Sequence, residues 1–223
     1  GMTAAYIMLM GPPGSGKGTQ AKRLVEALGI PHVSSGDLFR AMKVMDTPLA
    51  REIQAIMARG ELVPDGTTIR VVEERLREED ARKGAILDGF PRTVPQAEAL
   101  DNLLAELGGR LEPVLLFRIT EDEAVRRISG RRTCPQCERV YHVAFHPPQV
   151  EDVCDVDGST LVQRADDRPE VVRERYQLYL NKTEPLVEYY RAKGILVEID
   201  AMRDIDQITP DIVEAVRQRS QAT

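Results

Sequence analysis

Apolar positions along this chain fall into short dense blocks separated by longer stretches in which they recur every three or four residues. Residues 5–10 form a compact apolar run ended by Gly-Pro-Pro-Gly, the pattern of a buried strand. Over residues 19–28 the apolar positions are Ala21, Leu24, Val25 and Leu28, followed by Gly29, the spacing of a helix with a glycine stop. Further compact runs lie at 85–87, 113–119 and 195–199, each set apart from the next by a helical stretch. Strands alternating with helices predict a parallel sheet covered by helices.

Two segments interrupt the alternation. Residues 35–66 read as short helices, with Leu38, Phe39 and Met42 and then Ile53, Ile56 and Met57 at helical intervals. Residues 130–167 hold all three Cys, two of the three His, and the turn signals Pro147-Pro148 and Asp157-Gly158 around short β-rich runs such as 139–143. A long helix is predicted at 169–190 and a short final one at 211–219. No internal repeat or low-complexity linker is present, so both segments read as insertions. The core is then 1–34, 67–129 and 168–223, with insertions at 35–66 and 130–167.

Composition narrows the function. With 223 residues, 42% hydrophobic and 30% charged, the chain is an ordinary globular one and excludes collagenous, coiled-coil and largely disordered classes. Its net charge of −6 and the absence of Trp argue against a base-stacking or polyanion-binding surface. Of its 30 basic residues, 24 are Arg, a bias that fits either genome composition or the clamping of phosphate by planar forks. Three Cys within residues 134–154 suit a metal site or free thiols better than a disulfide framework. The early apolar run is too short to span a bilayer, and a cytoplasmic setting is expected. Gly1, ahead of Met2, reads as a cloning remnant.

The strongest motif is Gly11-Pro12-Pro13-Gly14-Ser15-Gly16-Lys17, which matches G-x-x-x-x-G-K between a strand and a helix. Glycines let successive backbone N–H groups turn around an anion, and the lysine reaches the terminal phosphates. The usual magnesium-binding Ser/Thr after the lysine is Gly18 here, with Thr19 one place later. That weakens a GTPase or motor-ATPase reading and favours a magnesium held largely through water and phosphate. Asp88, ending the apolar run 85–87 ahead of Gly89, is the candidate carboxylate, because ligands bind at the carboxyl ends of strands in such sheets.

These residues, with Ser34-Ser35-Gly36-Asp37-Leu38-Phe39-Arg40, Gly60-Glu61-Leu62-Val63-Pro64, Leu87-Asp88-Gly89-Phe90-Pro91-Arg92, Gln96, Gly130-Arg131-Arg132 and Arg164-Ala165-Asp166-Asp167-Arg168, resemble adenylate kinase from Met8 to the C-terminal region. The resemblance implies a P-loop NTPase core with a parallel five-stranded sheet, a helical insertion that binds the nucleoside monophosphate, and a β-rich zinc lid. It implies transfer of phosphate from ATP to AMP with Mg2+, with ATP, AMP and ADP as partners; a monomer is expected, and the composition and the short apolar run point to no nucleic acid and no membrane. On this basis ATP would meet Gly14, Ser15, Gly16, Lys17, Gly18, Thr19, Arg127, Arg131, Val140, Tyr141 and Arg203. AMP would meet Ser35, Arg40, Glu61, Leu62, Val63, Gly89, Phe90, Pro91, Arg92, Gln96, Arg164 and Arg175. The catalytic set is Lys17, Arg92, Arg127, Arg131, Arg164 and Arg175 for charge neutralisation, with Asp88 in the magnesium water shell.

Cys134-Pro135-Gln136-Cys137 and Cys154-Asp155-Val156-Asp157 are two knuckles in a C-x2-C-x16-C-x2-D pattern. Three thiolates and a carboxylate make a four-coordinate structural zinc set. His142 and His146 are rival fourth ligands by position, and the resemblance implies Cys134, Cys137, Cys154 and Asp157. Glu138 follows the first knuckle where the family often has glycine, whereas Gly158 keeps that place in the second. GTP as donor, or UMP or CMP as acceptor, stay open as alternatives; the long lid disfavours the latter. A nucleic-acid-binding zinc module is opposed by the net acidity and by the knuckles' insertion within a kinase core.

Overall fold

The computed structural model describes residues 4–221, so Gly1 lies outside the described residues. In chain order the elements are β1 (Ala4–Met10), α1 (Lys17–Leu28), β2 (His32–Ser34), α2 (Ser35–Met42), α3 (Pro48–Ala58), α4 (Asp65–Leu76), β3 (Gly84–Asp88), α5 (Val94–Glu106), β4 (Gly109–Arg118), α6 (Glu121–Ser129), β5 (Arg131–Thr133), β6 (Val140–His142), α7 (Pro169–Ala192), β7 (Leu196–Asp200) and α8 (Ile205–Gln221). They form two compact units. One holds Gly16–Phe117 with the described residues before Pro12 and after Asn181; the other holds Pro12–Ser15 and Arg118–Asn181. Residues 35–66 group with the first.

The first unit is built on a five-stranded sheet in the order β2-β3-β1-β4-β7. The pairings β1-β3, β1-β4 and β2-β3 are parallel, as the alternating pattern predicts. Tyr6, Met8 and Met10 pack on one face with Ala85, Leu87, Val114 and Leu116, under Leu100 and Leu104 of α5 and Leu186 and Tyr190 of α7. Ile7, Leu9, Ile86 and Leu115, which alternate with them, are buried as well. A strand covered on both faces must be apolar throughout, which is why these strands appear as unbroken runs. Met42, Leu49, Ala50, Ile53 and Val71 form a separate small core among α2, α3 and α4.

Several boundaries differ from the predicted ones. The three-residue β2 has too few apolar residues to stand out. Pro113 was the expected start of its strand, yet β4 begins at Gly109 and shifts register against β1 between Tyr6 and Met8. Because proline lacks an N–H, the irregularity lies where the ladder could not have been regular. Pro210 likewise lies inside α8, so the helix extends six residues ahead of its expected start at 211. The Thr209 hydroxyl donates to the Ile205 carbonyl (3.1 Å) in this turn. Among the described residues, no helix is long and apolar enough to cross a membrane.

In the second unit, the Thr120 hydroxyl caps α6 by accepting from the Glu123 N–H (3.1 Å). Acidic residues fill the first turn of α6, and Arg126 and Arg127 the last, complementing the helix dipole. β5 and β6 pair antiparallel, with Arg132 opposite Tyr141. Isolated bridges at Thr133–Val162 and Val153–Thr160 join the rest of the segment to them around a core of only Cys134, Tyr141, Cys154 and Leu161.

Close packing at the start of β3 yields a direct test. Gly84 has φ +130°, and a Cβ there would lie 1.8 Å from the Ala5 carbonyl oxygen of β1. Backbone cannot yield to such an overlap, so Gly84→Ala is expected to cost at least about 3 kcal/mol in chemical unfolding. A variant within about 0.5 kcal/mol of the parent would contradict this packing.

Candidate functional site

The phosphate loop joins β1 to α1. Gly14 and Gly16 both have left-handed φ values, 80° and 81°, which L side chains rarely adopt. Gly14 also has a neighbour: a Cβ there would come within 3.1 Å of Ile128. The loop closes with the Ser15 N–H donating to the Pro12 carbonyl (3.2 Å). No side chain caps α1, and its first turn carries no acidic residue, so its leading N–H groups and positive end remain available to an anion. The Ser15 hydroxyl is buried without a hydrogen-bond partner, a polar atom that suits a phosphate oxygen.

At the start of α1, Lys17 Nζ lies 2.5 Å from Asp88 Oδ1, and His32 Nε2 lies 3.0 Å from Asp88 Oδ2. Burial alone would raise the Asp88 carboxyl, but the His32 hydrogen bond and the Lys17 charge outweigh it and hold it below the ordinary carboxylate value. An ionised carboxylate only accepts, so His32 donates from Nε2.

After β3 the chain turns through Gly89 (φ 80°) and a cis Phe90-Pro91 bond. The Gly89 carbonyl accepts from the Ser35 hydroxyl and from Arg92 Nε, both at 2.9 Å. A Cβ at Gly89 would meet Ser35 Oγ at 2.6 Å, so the close approach requires glycine. Gln96 Oε1 accepts from the Arg92 N–H (2.8 Å), and its Nε2 donates to Asp65 Oδ1 (2.7 Å). Arg40 pairs with Asp37, and Glu61 with Arg59 at 3.2 Å. Leu62 is 93% exposed and Val63 packs on the small core of α2 to α4. Arg203 pairs with Asp211 at 2.7 Å.

Within the second unit, Arg127 donates to the Gly14 carbonyl (3.1 Å) and to Glu123 Oε1 (2.8 Å). Arg126 and then Arg127 draw the Glu123 carboxyl down to about 2. Arg131 pairs with the buried Asp167 at 2.8 Å, Arg175 approaches the Asp166 carbonyl at 3.4 Å, and Arg164 is exposed.

The knuckles converge. One donor atom each from Cys134, Cys137, Cys154 and Asp157 lie within 4.8 Å of one another. The Cys137 and Cys154 sulfurs are 3.6 Å apart, and Cys134 Sγ is 3.3 Å from Asp157 Oδ2. Tetrahedral zinc–thiolate bonds of about 2.3 Å place sulfurs about 3.8 Å apart, so the donor set fits zinc. The Ser159 N–H, then its hydroxyl, hold the Asp157 carboxyl down to about 2, keeping that ligand anionic.

The two knuckles share one backbone course. The Cys134 N–H donates to the Arg139 carbonyl and the Cys154 N–H to the Ser159 carbonyl, both at 2.9 Å. Glu138 at φ 64° and Gly158 at φ 73° occupy the same left-handed turn.

A family model described as adenylate kinase matches residues 9–195. Curated adenylate kinases from Staphylococcus epidermidis and Staphylococcus aureus are each 46% identical over 208 residues, covering 93% of this chain and 97% of the relative. The chain belongs to the adenylate kinase family.

For this adenylate kinase family member, the residues expected at the monophosphate subsite from the resemblance come together in part: Ser35, Gly89, Arg92 and Gln96 form one hydrogen-bonded group. Tyr141, expected to touch ATP, has its side chain buried within the knuckle core (1% exposed), whereas Val140 is exposed. His142 and His146 stand outside the four-donor cluster. His142 Nδ1 accepts from the Ala144 and Phe145 N–H groups, and His146 stacks on Tyr141. Sequence reasoning missed His32 and Asp65. The position of His32, at the end of a segment leading into Ser34-Ser35-Gly36-Asp37, was the only available signal.

Glu138→Gly removes a left-handed L residue and is expected to stabilise the knuckle segment by roughly 0.5–1 kcal/mol, after the entropic cost of glycine; a lower melting temperature would contradict the assigned turn. Glu123 should contribute stability above its ordinary pKa of 4.5 that is lost as pH falls toward about 2. Glu123→Gln should therefore lose stability at pH 7 and only a small fraction of that at pH 2, where the carboxyl is half protonated, and an equal loss at both would contradict the ion pairs.

Proposed function

We propose that this chain catalyses reversible transfer of the γ-phosphoryl group of ATP to AMP, giving two ADP. The observation that carries the reading is the joint placement of Lys17 against Asp88 and of Arg92 against Gly89, each at the carboxyl end of a neighbouring strand. The glycine loop would hold the ATP phosphates through its N–H groups and Lys17. Ser35, Arg40, Arg92 and Gln96 would hold AMP, with Glu61, Leu62, Val63, Gly89, Phe90 and Pro91 around it.

A phosphate oxygen of AMP attacks the γ-phosphorus, the bond from that phosphorus to the β–γ bridging oxygen breaks, and ADP leaves. The attacking oxygen is already anionic, so no general base is needed. The protein's work is positioning and neutralising charge spread over the transferring group. Lys17, Arg92, Arg127, Arg131, Arg164 and Arg175 are assigned that task, since guanidinium forks match phosphate oxygens and keep their charge.

Magnesium, bound with ATP, offsets phosphate charge; Asp88 as an ionised carboxylate fits its water shell. Residues 35–66 are assigned as the monophosphate-binding insertion, 130–167 as a zinc lid whose closure excludes water, and 1–34, 67–129 and 168–223 as the P-loop core. In the lid, Cys134, Cys137, Cys154 and Asp157 would hold one structural zinc, giving a small segment stability that its core alone does not supply. Val140 and the backbone of Tyr141, with Arg203, are assigned to the nucleoside of ATP. A monomer in the cytoplasm completes the proposal.

A coupled assay supplying ATP with AMP, GMP, UMP or CMP in turn tests the substrate assignment, with turnover expected on AMP. Activity confined to UMP or CMP would overturn it. Arg92→Ala is expected to lower turnover by about 10³-fold or more with an unchanged melting temperature; near-normal turnover would remove Arg92 from the site. Metal analysis of protein purified without chelator should find one zinc per chain.

A further inference from the structure

Tyr141 pairs with Arg132 across the β5-β6 hairpin, and its ring is buried among Cys134, Cys154 and Leu161. A phenol so placed needs a use for its hydroxyl, because burying an unpaired polar group costs on the order of 1–3 kcal/mol. The hydroxyl has two neighbours. The Asp155 N–H donates to it at 3.0 Å, and Cys154 Sγ lies 3.5 Å away. An N–H can only donate, so the oxygen is the acceptor in the first contact. The phenolic proton is thus free to point at the sulfur. When Cys154 serves as a metal ligand it is a thiolate, which can only accept, and the direction O–H···S⁻ is then fixed.

We infer that Tyr141 is a positioning residue for the metal centre, its hydroxyl donating to the Cys154 thiolate while held in place by the Asp155 N–H. The inference rests on the proposed zinc site and deepens it. The hydroxyl links the second knuckle, through Cys154 and Asp155, to β6, which directly follows the first knuckle. It therefore sets the side-chain direction of one ligand from a strand that carries none. It also withdraws charge from one thiolate among three, easing repulsion in a cluster of four anionic donors. Outer-shell hydrogen bonds of this kind fix ligand orientation, and losing one typically costs 10- to 100-fold in metal affinity. The Tyr141 side chain is turned into the knuckle core, which leaves its backbone for the nucleotide contact implied by the resemblance.

The test uses the full chain and two metals. Zn2+ affinity is measured by competition with a chromophoric chelator, and Co2+ loading reports the thiolate-to-metal charge-transfer band. Tyr141→Phe keeps the ring and removes only the hydroxyl. The expected result is a 10- to 100-fold weaker Zn2+ affinity and a charge-transfer band displaced to lower energy, as a thiolate relieved of a hydrogen bond is easier to oxidise. Leu161→Ala, which loosens the same core without touching the hydroxyl, should leave the band in place whatever it does to affinity. Unchanged affinity and band in Tyr141→Phe would overturn the inference. So would a weakened affinity with an unmoved band matching Leu161→Ala, since that is packing alone. Failure of the parent chain to bind Zn2+ or Co2+ would instead refute the metal site itself.

Discussion

The parallel pairing of β1 with β3, with Leu9 opposite Asp88, is the constraint on which the rest of the site depends. Parallel neighbours end on the same edge of a sheet, so whatever follows β1 and whatever follows β3 emerge side by side. After β1 comes the glycine loop leading to Lys17; β3 ends on Asp88 and is followed by the turn to Arg92. The pairing of β2 with β3 adds Ser34 opposite Asp88, which brings Ser35 to Gly89 and His32 to the Asp88 carboxylate. Three strands thus deliver Lys17, a carboxylate and an arginine turn to one edge without a long loop among them. A register slip of one residue would turn Asp88 to the opposite face of the sheet and dissolve the arrangement.

Charge follows the same economy of placement. The chain is acidic overall, yet its expected phosphate-facing arginines have local protein partners: Arg40 with Asp37, Arg92 with the Gly89 carbonyl, Arg131 with Asp167. The exposed Arg40–Asp37 pair is worth about 0–1 kcal/mol. Exchanging such a partner for a phosphate oxygen costs little and gains a bidentate contact. Fixed partners also keep the side chains from collapsing at random. A net charge of −6 and a phosphate site are therefore compatible, because the first is a sum over the chain and the second a local concentration.

What could be read from sequence were features whose meaning is local. Gly14, Gly16 and Lys17 announce their loop because the backbone conformation and the anion both act within seven residues, and the sheet's strands announce themselves because burial on both faces demands unbroken apolar runs. The knuckles were legible for the same reason, and the one departure there resolves simply: Glu138 adopts the turn that Gly158 adopts. What stayed hidden depends on pairing across the fold. His32 gains meaning only when β2 lies against β3, Asp65 only when α4 meets α5 at Gln96, and Tyr141 only when β6 turns its ring under Cys154. The three-residue β2, and the irregular β4 around Pro113, carry too little pattern of their own to be placed.

The β1-β3 edge serves transfer between nucleotides, with AMP and not water as the acceptor. Phosphorus-31 resonance spectra of the purified chain with ATP, AMP and magnesium test it directly. The ATP and AMP signals should convert into those of ADP until equilibrium, with no accumulation of orthophosphate. Orthophosphate accumulating while the AMP signal stays constant would show that water is the acceptor and refute the transfer to AMP.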